Sequence, residues 1–356
     1  MDTPTADAGV GERALDALAG LYRGMFTGLV LSVVTRRGEA DAARYVHAVF
    51  RHQHERMFLP GLRKLGLEDR PPAVACAAYH TLANRIGGAA VEFVPERDDK
   101  AWVVFPPPRW IWDGVAICAV PSSVARGMLT GWYARNGISL RVSDLRFVVT
   151  GQLVDGDFGL AGYFERTGRD LGPDERLAFR PGEQPPRTGG GDALALPGAW
   201  PAARLAAARR NYAMEYVRSA LPRLDELFGT ADAAHLARHT GRLVGAQLYG
   251  GVAEAWGVRG RSPADFANLL CRWAALEGDA ADARGGFVER RGWRLAHGVE
   301  HSGGALAAGW EGLVHGAALA HDRDLCVAVE ERARGRDGTW RWSVRCASNA
   351  TGEAIG

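Results

Sequence analysis

A divergent internal repeat constrains the fold of this chain more than any other feature of its sequence. The stretch Gly66–Ala73 reads GLEDRPPA and the stretch Gly257–Ala264 reads GVRGRSPA, and matching positions lie 191 residues apart. Both stretches are typical of a helix that ends at a glycine, followed by a short loop and a proline in the first turn of the next helix. We therefore expect the two halves of the chain to share one arrangement of helices and strands.

The segments after each stretch predict the same order of elements. They are a strand pair at 90–105, a helix at 122–136 and a hairpin at 145–165, and then strands at 286–300, a helix at 305–321 and a hairpin at 325–345. Each hairpin is expected to turn at an Asp-Gly dipeptide, at residues 155–156 and 337–338, which favours a two-residue loop. The sequence thus predicts the α+β class, with two tandem units in which helices precede a β-β-α-β-β segment that forms an antiparallel sheet.

A Pro- and Gly-rich stretch separates the two halves. Residues 181–201 read PGEQPPRTGGGDALALPGAWP, which has the period of neither a helix nor a strand. We expect a linker at 181–200 between a first unit at 1–180 and a second unit at 201–356.

The turn of the first hairpin assigns its side chains to two faces. One face is expected to be core: Phe147, Val149, Leu153, Phe158, Leu160 and Phe164. The opposite face mixes hydroxyl, amide and aromatic groups with small residues and pairs Arg146 with Glu165; its other candidate ligand contacts are Thr150, Gln152 and Tyr163. In the second hairpin Glu330 is expected opposite Arg345, on a face whose charges indicate a solvated surface. We therefore expect a ligand site in the first unit.

Composition excludes several classes of protein. A net charge of +2 is far from the basic excess that nucleic acid selects, so we expect no nucleic-acid partner. The N-terminus lacks basic residues before its first apolar stretch, which predicts a cytoplasmic protein. The apolar stretch from Ala14 to Val34 contains Asp16 and Arg23 and predicts a core helix, so we expect no membrane partner. Five cysteines without a C-x-x-C pair indicate neither a disulfide framework nor a cysteine-rich zinc site.

Three local clusters could contribute chemistry. Cys76 and His80 lie four residues apart on a predicted helix and form the best local pair for nucleophilic catalysis, although both could be core residues. Arg109 and Trp110 follow three prolines and could clamp a carboxylate against an aromatic wall, or form a rigid loop over a sheet edge. Trp132 and Arg135 lie at a predicted helix end, where Arg135 could instead neutralise the helix C-terminus.

The histidines give only weak metal patterns. Residues 297–301 read HGVEH, an H-x-x-E-H match that lacks the required helix, because the preceding residues 293–299 alternate as in a strand. His235 and His239 lie four residues apart on a predicted helix without an adjacent third ligand, and His52 and His54 with Glu55 form a similar cluster. We expect no metal and no other cofactor, with a metal or haem enzyme as the remaining alternative.

The layout of each half resembles the L-2-amino-thiazoline-4-carboxylate hydrolase family and the related vinyl-4-reductase-type ligand-binding domains. The stretches that contribute to the resemblance are NYAMEY at 211–216 and WEGL at 310–313. It covers most of residues 205–345 and, more faintly, 40–165. The resemblance implies a pocket between helices and sheet that accepts a small organic ligand.

Two main functions follow from these observations. The first is an enzyme that hydrolyses a C–N bond of an amino-acid-like or heterocyclic carboxylate. In that reaction Arg109 would hold the carboxylate, Tyr163 and Gln152 would position the substrate, and Glu165 or His80 would act as general base. The second is a non-catalytic ligand-binding or sensor module that uses the same pocket. We expect a small-molecule partner and either a monomer or a homodimer.

Overall fold

The computed structural model describes residues 5–109, 111–186, 194–196, 200–299, 304–332 and 338–346. It combines long helices with two β-sheets, so the predicted α+β class is confirmed. The chain divides into two compact units. We call Val30–Tyr212 the first-sheet unit, and Met1–Leu29 with Ala213–Gly356 the second-sheet unit.

The first-sheet unit contains the end of helix α1 (Thr5–Arg37), the start of helix α6 (Ala202–Phe228), and the elements between them. Its other helices are α2 (Glu39–Lys64), α3 (Pro72–Ile86), α4 (Ser122–Gly131) and α5 (Asn136–Leu140). Its strands are β1 (Glu92–Arg97), β2 (Lys100–Phe105), β3 (Leu145–Gly151), β4 (Leu160–Arg166) and β5 (Leu177–Phe179). They form one sheet in the order β1-β2-β4-β3-β5, in which only β5 runs parallel to its neighbour.

The second-sheet unit contains the first part of α1, the rest of α6, and the elements that follow. Its other helices are α7 (Thr230–Ala255), α8 (Pro263–Glu277) and α9 (Gly304–His321). Its strands are β6 (Ala280–Arg284), β7 (Phe287–Arg291), β8 (Leu325–Arg332) and β9 (Thr339–Cys346). They form an antiparallel sheet in the order β6-β7-β9-β8, which is the order of β1-β2-β4-β3. Descent of both units from one duplicated ancestor stays a prediction.

The two repeated stretches end their helices in the same way. Gly66 has φ +64° and Gly257 has φ +69°, a left-handed conformation that glycine adopts without a steric penalty. The next residue, Leu67 or Val258, donates its backbone N–H to a carbonyl oxygen in the preceding helix. These bonds are those of a glycine C-cap, so the local interpretation of the repeat is confirmed.

Glycines let one pair of helices approach closely in each unit. In the first-sheet unit, a Cβ added to Gly127 would lie 2.7 Å from the backbone oxygen of Ala43, and one added to Gly131 would lie 2.6 Å from that of His47. In the second-sheet unit, Gly241 and Gly245 of α7 face the backbone of α9 even more closely. Backbone contact at this distance leaves no room for a side chain.

Helix α1 is the only described helix long and apolar enough to cross a membrane by length and composition. Its span Gly11–Arg37 has an 18-residue window of mean hydropathy 1.5, and 56% of that window is buried inside the protein. The side chains of Leu18, Tyr22 and Phe26 are fully buried. This burial is typical of a core helix, as the sequence predicts, while the cytoplasmic location stays a prediction.

The first hairpin keeps the predicted register but not the predicted turn. Arg146 lies opposite Glu165 and Val148 opposite Tyr163, as expected. A bulge between Val149 and Gly151 and a 3-10 turn at Leu153–Asp155 replace the two-residue loop. Phe158 is consequently carried out of the sheet and is 67% exposed, so its assignment to the core is wrong.

Three other expectations for the elements are wrong. The helix expected at 122–136 ends at Gly131 and restarts at Asn136, after a 3-10 turn. The strand expected at 293–299 is instead a 3-10 turn at Arg294–Ala296, and the sheet begins earlier, with β6. In the second hairpin Cys326 pairs with Arg345, in place of Glu330, and β8 carries a bulge between Val329 and Glu331. The turn expected at 337–338 lies partly outside the described residues.

The described part of the predicted linker lies within the first-sheet unit. Strand β5, just before it, adds to the sheet beside β3, and Gly182 donates its N–H to the backbone oxygen of Thr150 at 3.0 Å. Residues 187–193 and 197–199 of the linker lie outside the described residues.

Candidate functional site

A group of buried polar side chains lies between the helices and the sheet of the first-sheet unit. We call it the histidine cluster: His54 from α2, Cys76 and His80 from α3, Trp132 from the end of α4, and Asn136 from the start of α5. The rings of His54 and Trp132 have centroids 5.8 Å apart, and those of His80 and Trp132 have centroids 6.2 Å apart. Sequence analysis selected Cys76, His80 and Trp132, and the structure brings these three together.

Helical spacing explains why His54 is buried. It occupies the middle of a stripe of α2 residues four apart, which is the side that a helix presents to its core: Val46, Phe50, His54, Phe58 and Leu62. All of these side chains are buried, and His54 is only 1% exposed. The spacing of apolar residues along α2 therefore indicates that His54 is buried. The metal pattern with His52 and Glu55 does not indicate this burial.

The break between α4 and α5 places Trp132 and Asn136 in the cluster. Helix α4 ends at Gly131, where the backbone of α2 lies against it, and the chain then passes through a 3-10 turn at Tyr133–Arg135. Asn136 restarts the helix, followed by Gly137, at which an added Cβ would lie 2.8 Å from the backbone oxygen of Leu145. Asn136 was interpreted from the sequence only as a helix stop, and its role in the cluster was missed.

Aromatic rings enclose the cluster. His80 stacks on Tyr133 with ring centroids 4.1 Å apart and on Phe164 of β4 at 5.5 Å. His54 stacks on Phe58 at 4.8 Å. Because flat rings cover both histidines, the polar atoms of the cluster lie within an apolar, aromatic enclosure.

Hydrogen bonds inside the cluster use only part of its polar capacity. The amide nitrogen of Asn136 donates to Nε2 of His80 at 3.0 Å, which leaves the proton of neutral His80 on Nδ1. A hydrogen bond of 2.8 Å joins Nε2 of His54 to the hydroxyl of Ser139. Three buried atoms have no hydrogen-bond partner among the described residues: Nδ1 of His54, Nε1 of Trp132 and Oδ1 of Asn136.

Burial keeps the cluster neutral. It lowers the pKa of His54 to about 4, helped by the charge of Arg135, and the pKa of His80 to about 3. It also raises the pKa of the Cys76 thiol far above the usual value, against the opposing effect of a hydrogen bond from Asn136. At neutral pH the histidines are therefore uncharged, and the thiol keeps its proton and is a weak nucleophile.

Tyr163 and Glu165 lie on the other face of the sheet. Strand β4 alternates, so Phe164 faces the histidine cluster while its two neighbours face away. Glu165 forms an ion pair with Arg146 at 2.6 Å, and the hydroxyl of Tyr163 donates to Glu183 at 2.7 Å. Burial first, and then the bond to Glu183, raises the pKa of Tyr163 to about 12. The two residues are together, but the sheet separates them from His80.

The remaining predicted site residues occupy other positions. Thr150 and Gln152 are buried at the end of β3, where the Gln152 amide donates to Asp155 at 2.8 Å. Arg109 is also buried, with one guanidinium nitrogen 3.4 Å from the sulfur of Met128. Arg135 borders the histidine cluster and pairs with Glu55 at 3.2 Å. Trp110 lies outside the described residues.

A second buried polar group lies in the second-sheet unit. We call it the ionic cluster: Tyr22 of α1, Glu277 at the end of α8, Asp279 after it, and Arg290 of β7. Arg290 forms short ion pairs with both carboxylates, and the hydroxyl of Tyr22 donates to Glu277. Sequence analysis missed this cluster because a buried arginine on a strand follows the same alternation as an apolar residue.

The expectation of no bound metal stays a prediction. No group of three or more His, Cys, Asp or Glu side chains in the described part of the chain is arranged to hold a metal ion. Of the H-x-x-E-H match, Glu300 and His301 lie outside the described residues.

Comparisons with known proteins do not identify the chain. It matches no protein-family model, no curated protein and no solved structure. The resemblance to the thiazoline-carboxylate hydrolases and vinyl-4-reductase-type domains therefore stays a prediction.

Proposed function

We propose that the first-sheet unit binds a small, flat, uncharged heterocyclic molecule at the histidine cluster. The observation that supports this proposal is the set of three buried polar atoms without partners on His54, Trp132 and Asn136. Each such atom costs about 1–3 kcal/mol of desolvation when it is left unsatisfied. A bound molecule that provides the missing hydrogen bonds would offset that cost.

The atoms define the chemistry of the ligand. Trp132 Nε1 is a donor and Asn136 Oδ1 is an acceptor, and Nδ1 of His54 can take either role in the neutral ring. A cyclic amide or an aminated heterocycle carries the complementary acceptor and donor on one edge, and its ring faces would pack against aromatic side chains. A charged ligand would lose its hydration without a counter-charge among the cluster residues, and Arg135 at the border already pairs with Glu55.

Binding fits the cluster better than catalysis. A general base needs a pKa near the working pH, and burial lowers the pKa of His80 to about 3. The hydrolysis of a C–N bond with Glu165 or His80 as base, predicted from the sequence, stays a prediction that the same experiment can test.

The experiment uses paired ligands with the full chain. Uracil, 2-pyrrolidone and 2-aminothiazole are each compared with the matching carboxylate, which is orotate, pyroglutamate or 2-aminothiazole-4-carboxylate. At a concentration 100-fold above its dissociation constant, a ligand stabilises the folded state by about 2.7 kcal/mol, equivalent to about 5–10 °C in a unit of this size. We expect such a shift for at least one neutral molecule and a smaller shift for its carboxylate.

Two histidine variants of α2 make the test specific. His54→Phe keeps the ring that stacks on Phe58 but removes the unpartnered nitrogen. It also removes the bond from Nε2 to Ser139. The variant should abolish binding while the ligand-free protein keeps a cooperative melting transition. His47→Phe is the matched control, because Nδ1 of His47 already bonds Thr130 at 3.0 Å, and it should leave binding unchanged.

Three outcomes would count against the proposal. They are no shift with any neutral ligand, equal binding by His54→Phe, and a consistent preference for the carboxylates. A preference for carboxylates together with a hydrolysed product in the mass spectrum would support the hydrolase instead.

A further inference from the structure

A groove in the second-sheet unit has a different chemical character from the histidine cluster. It has a volume of about 390 Å³ and lies where α7 ends and the loop to α8 begins. It is lined by the end of α7 and by the following loop: Tyr249, Gly250, Ala253, Glu254 and residues 257–261. This volume is within the range of small-molecule sites.

Two arginines make the loop side of the groove positive. Arg259 and Arg261 are both exposed, and neither forms an ion pair with a carboxylate of a described residue. The acidic residue at the start of α8, Asp265, is already used, because its carboxylate accepts the backbone N–H and the hydroxyl of Ser262. Nη1 of Arg261 donates to the backbone oxygen of His321 at 3.5 Å, while its other guanidinium nitrogens and the guanidinium of Arg259 remain available to an anion.

An oriented tyrosine completes the groove. Nε2 of His321 donates to the backbone oxygen of Ser262 at 3.0 Å, because a carbonyl oxygen can only accept. Nδ1 of the ring lies 2.5 Å from the hydroxyl oxygen of Tyr249, and with the hydroxyl as donor that oxygen is left as an acceptor. His321 is fully buried, which fixes the tyrosine in this orientation.

The repeated loop shows that the turn itself does not need Arg259. In the first-sheet unit the matching loop begins at Gly66 with the same left-handed glycine and the same backbone bonds. At the positions of Arg259 and Gly260 it carries Glu68 and Asp69, while Arg70 matches Arg261. One backbone geometry thus accommodates a glutamate in one unit and an arginine in the other at the position of Arg259, so the positive charge at that position is separate from the fold.

We propose that this groove binds a small organic oxyanion, held by Arg259 and Arg261, that also carries a hydroxyl group. The two guanidinium groups bind the phosphate or carboxylate of the ligand, and its hydroxyl donates to the oxygen of Tyr249. The site goes beyond the proposed function, because the histidine cluster takes an uncharged ligand in the other unit.

The test measures calorimetric binding to the full chain. The probes are inorganic phosphate, glycerol 3-phosphate and citrate, so that the oxyanion and the hydroxyl are examined separately. We expect glycerol 3-phosphate or citrate to bind, with affinity that falls as sodium chloride is raised. The double variant Arg259→Gln and Arg261→Gln should lose at least tenfold in affinity, and Arg284→Gln, an exposed arginine of β6, should lose none.

A tyrosine variant tests the hydroxyl contact. Tyr249→Phe should weaken the binding of glycerol 3-phosphate several-fold and leave that of inorganic phosphate unchanged. Absence of binding by every probe, or equal losses in the double variant and in Arg284→Gln, would overturn the proposal. His54→Phe should bind these anions normally, so the two proposals can fail independently.

Discussion

Replacement of Arg290 by methionine should be among the most damaging single changes in the second-sheet unit. Arg290 is 2% exposed and Glu277 is fully buried, and the guanidinium lies between Glu277 and Asp279. Methionine fills similar space but leaves two buried carboxylates without their counter-charge. Removal of one partner from a buried ion pair costs about 3–5 kcal/mol. The loss of the guanidinium 5.1 Å from the ring of Trp310 adds to that cost.

The loss of stability in Arg290→Met should increase with pH. Burial raises the pKa of Glu277 above its ordinary value, and the charge of Arg290 opposes that shift. Without Arg290 the pKa rises further, so the folded state of the variant binds the proton more tightly than the unfolded chain does. The destabilisation should therefore be small at low pH, where Glu277 is protonated, and should grow as pH rises through its folded pKa.

Urea unfolding followed by tryptophan fluorescence measures the effect. The second-sheet unit contains six of the eleven tryptophans, which makes its transition visible: Trp256, Trp273, Trp293, Trp310, Trp340 and Trp342. The wild type, Arg290→Met, Glu277→Gln and the double variant form a cycle. We expect Glu277→Gln to restore much of the stability lost in Arg290→Met. A loss below about 1 kcal/mol, a loss independent of pH, or no rescue would refute the reasoning.

Three further predictions follow from the contacts. Gly245→Ala should lower the unfolding free energy by about 1–3 kcal/mol or more in thermal melts, because its Cβ would meet the backbone of α9. Gly251→Ala is the control and should cause no such loss, because a Cβ there has nothing within 4 Å. Equal effects of the two substitutions would exclude close packing as the cause. Burial lowers the pKa of His54, so its protonation in the unfolded chain should lower the unfolding free energy as pH falls from 6.5 towards about 4. His54→Phe should make stability depend less on pH in that interval, with His80 left to titrate, and an unchanged profile would contradict the assignment. Iodoacetamide should label exposed Cys118 in the folded protein and leave buried Cys76 unlabelled until urea unfolds the chain. Peptide mass spectrometry measures the two labelling rates, and equal rates would contradict the burial of Cys76.

The order of the elements could be predicted from the sequence because it depends on interactions between near neighbours. The left-handed glycines at Gly66 and Gly257, and the alternation that pairs Arg146 with Glu165, are set by backbone sterics and by hydrogen bonds over a few residues. The choice of Cys76 and His80 as a pair had the same basis, since residues four apart share a helix face.

The details of the turns could not be predicted in the same way. The Asp-Gly dipeptide indicated a two-residue loop, yet Gly156 has its positive φ within a longer turn that leaves Phe158 exposed. A bulge depends on how a strand packs against the rest of the sheet, and a dipeptide does not encode that packing.

Tertiary structure alone decided which distant residues share a site. His54 and Asn136 are far apart in sequence, and they join one cluster because glycines bring α4 against α2 and the chain breaks after Gly131. The alternation of β7 buries Arg290. The carboxylates that offset the cost of burying its charge come from Glu277, at the end of α8, and from Asp279 after it. Sequence determines local geometry through contacts a few residues long, whereas burial and charge pairing depend on which surfaces meet after folding.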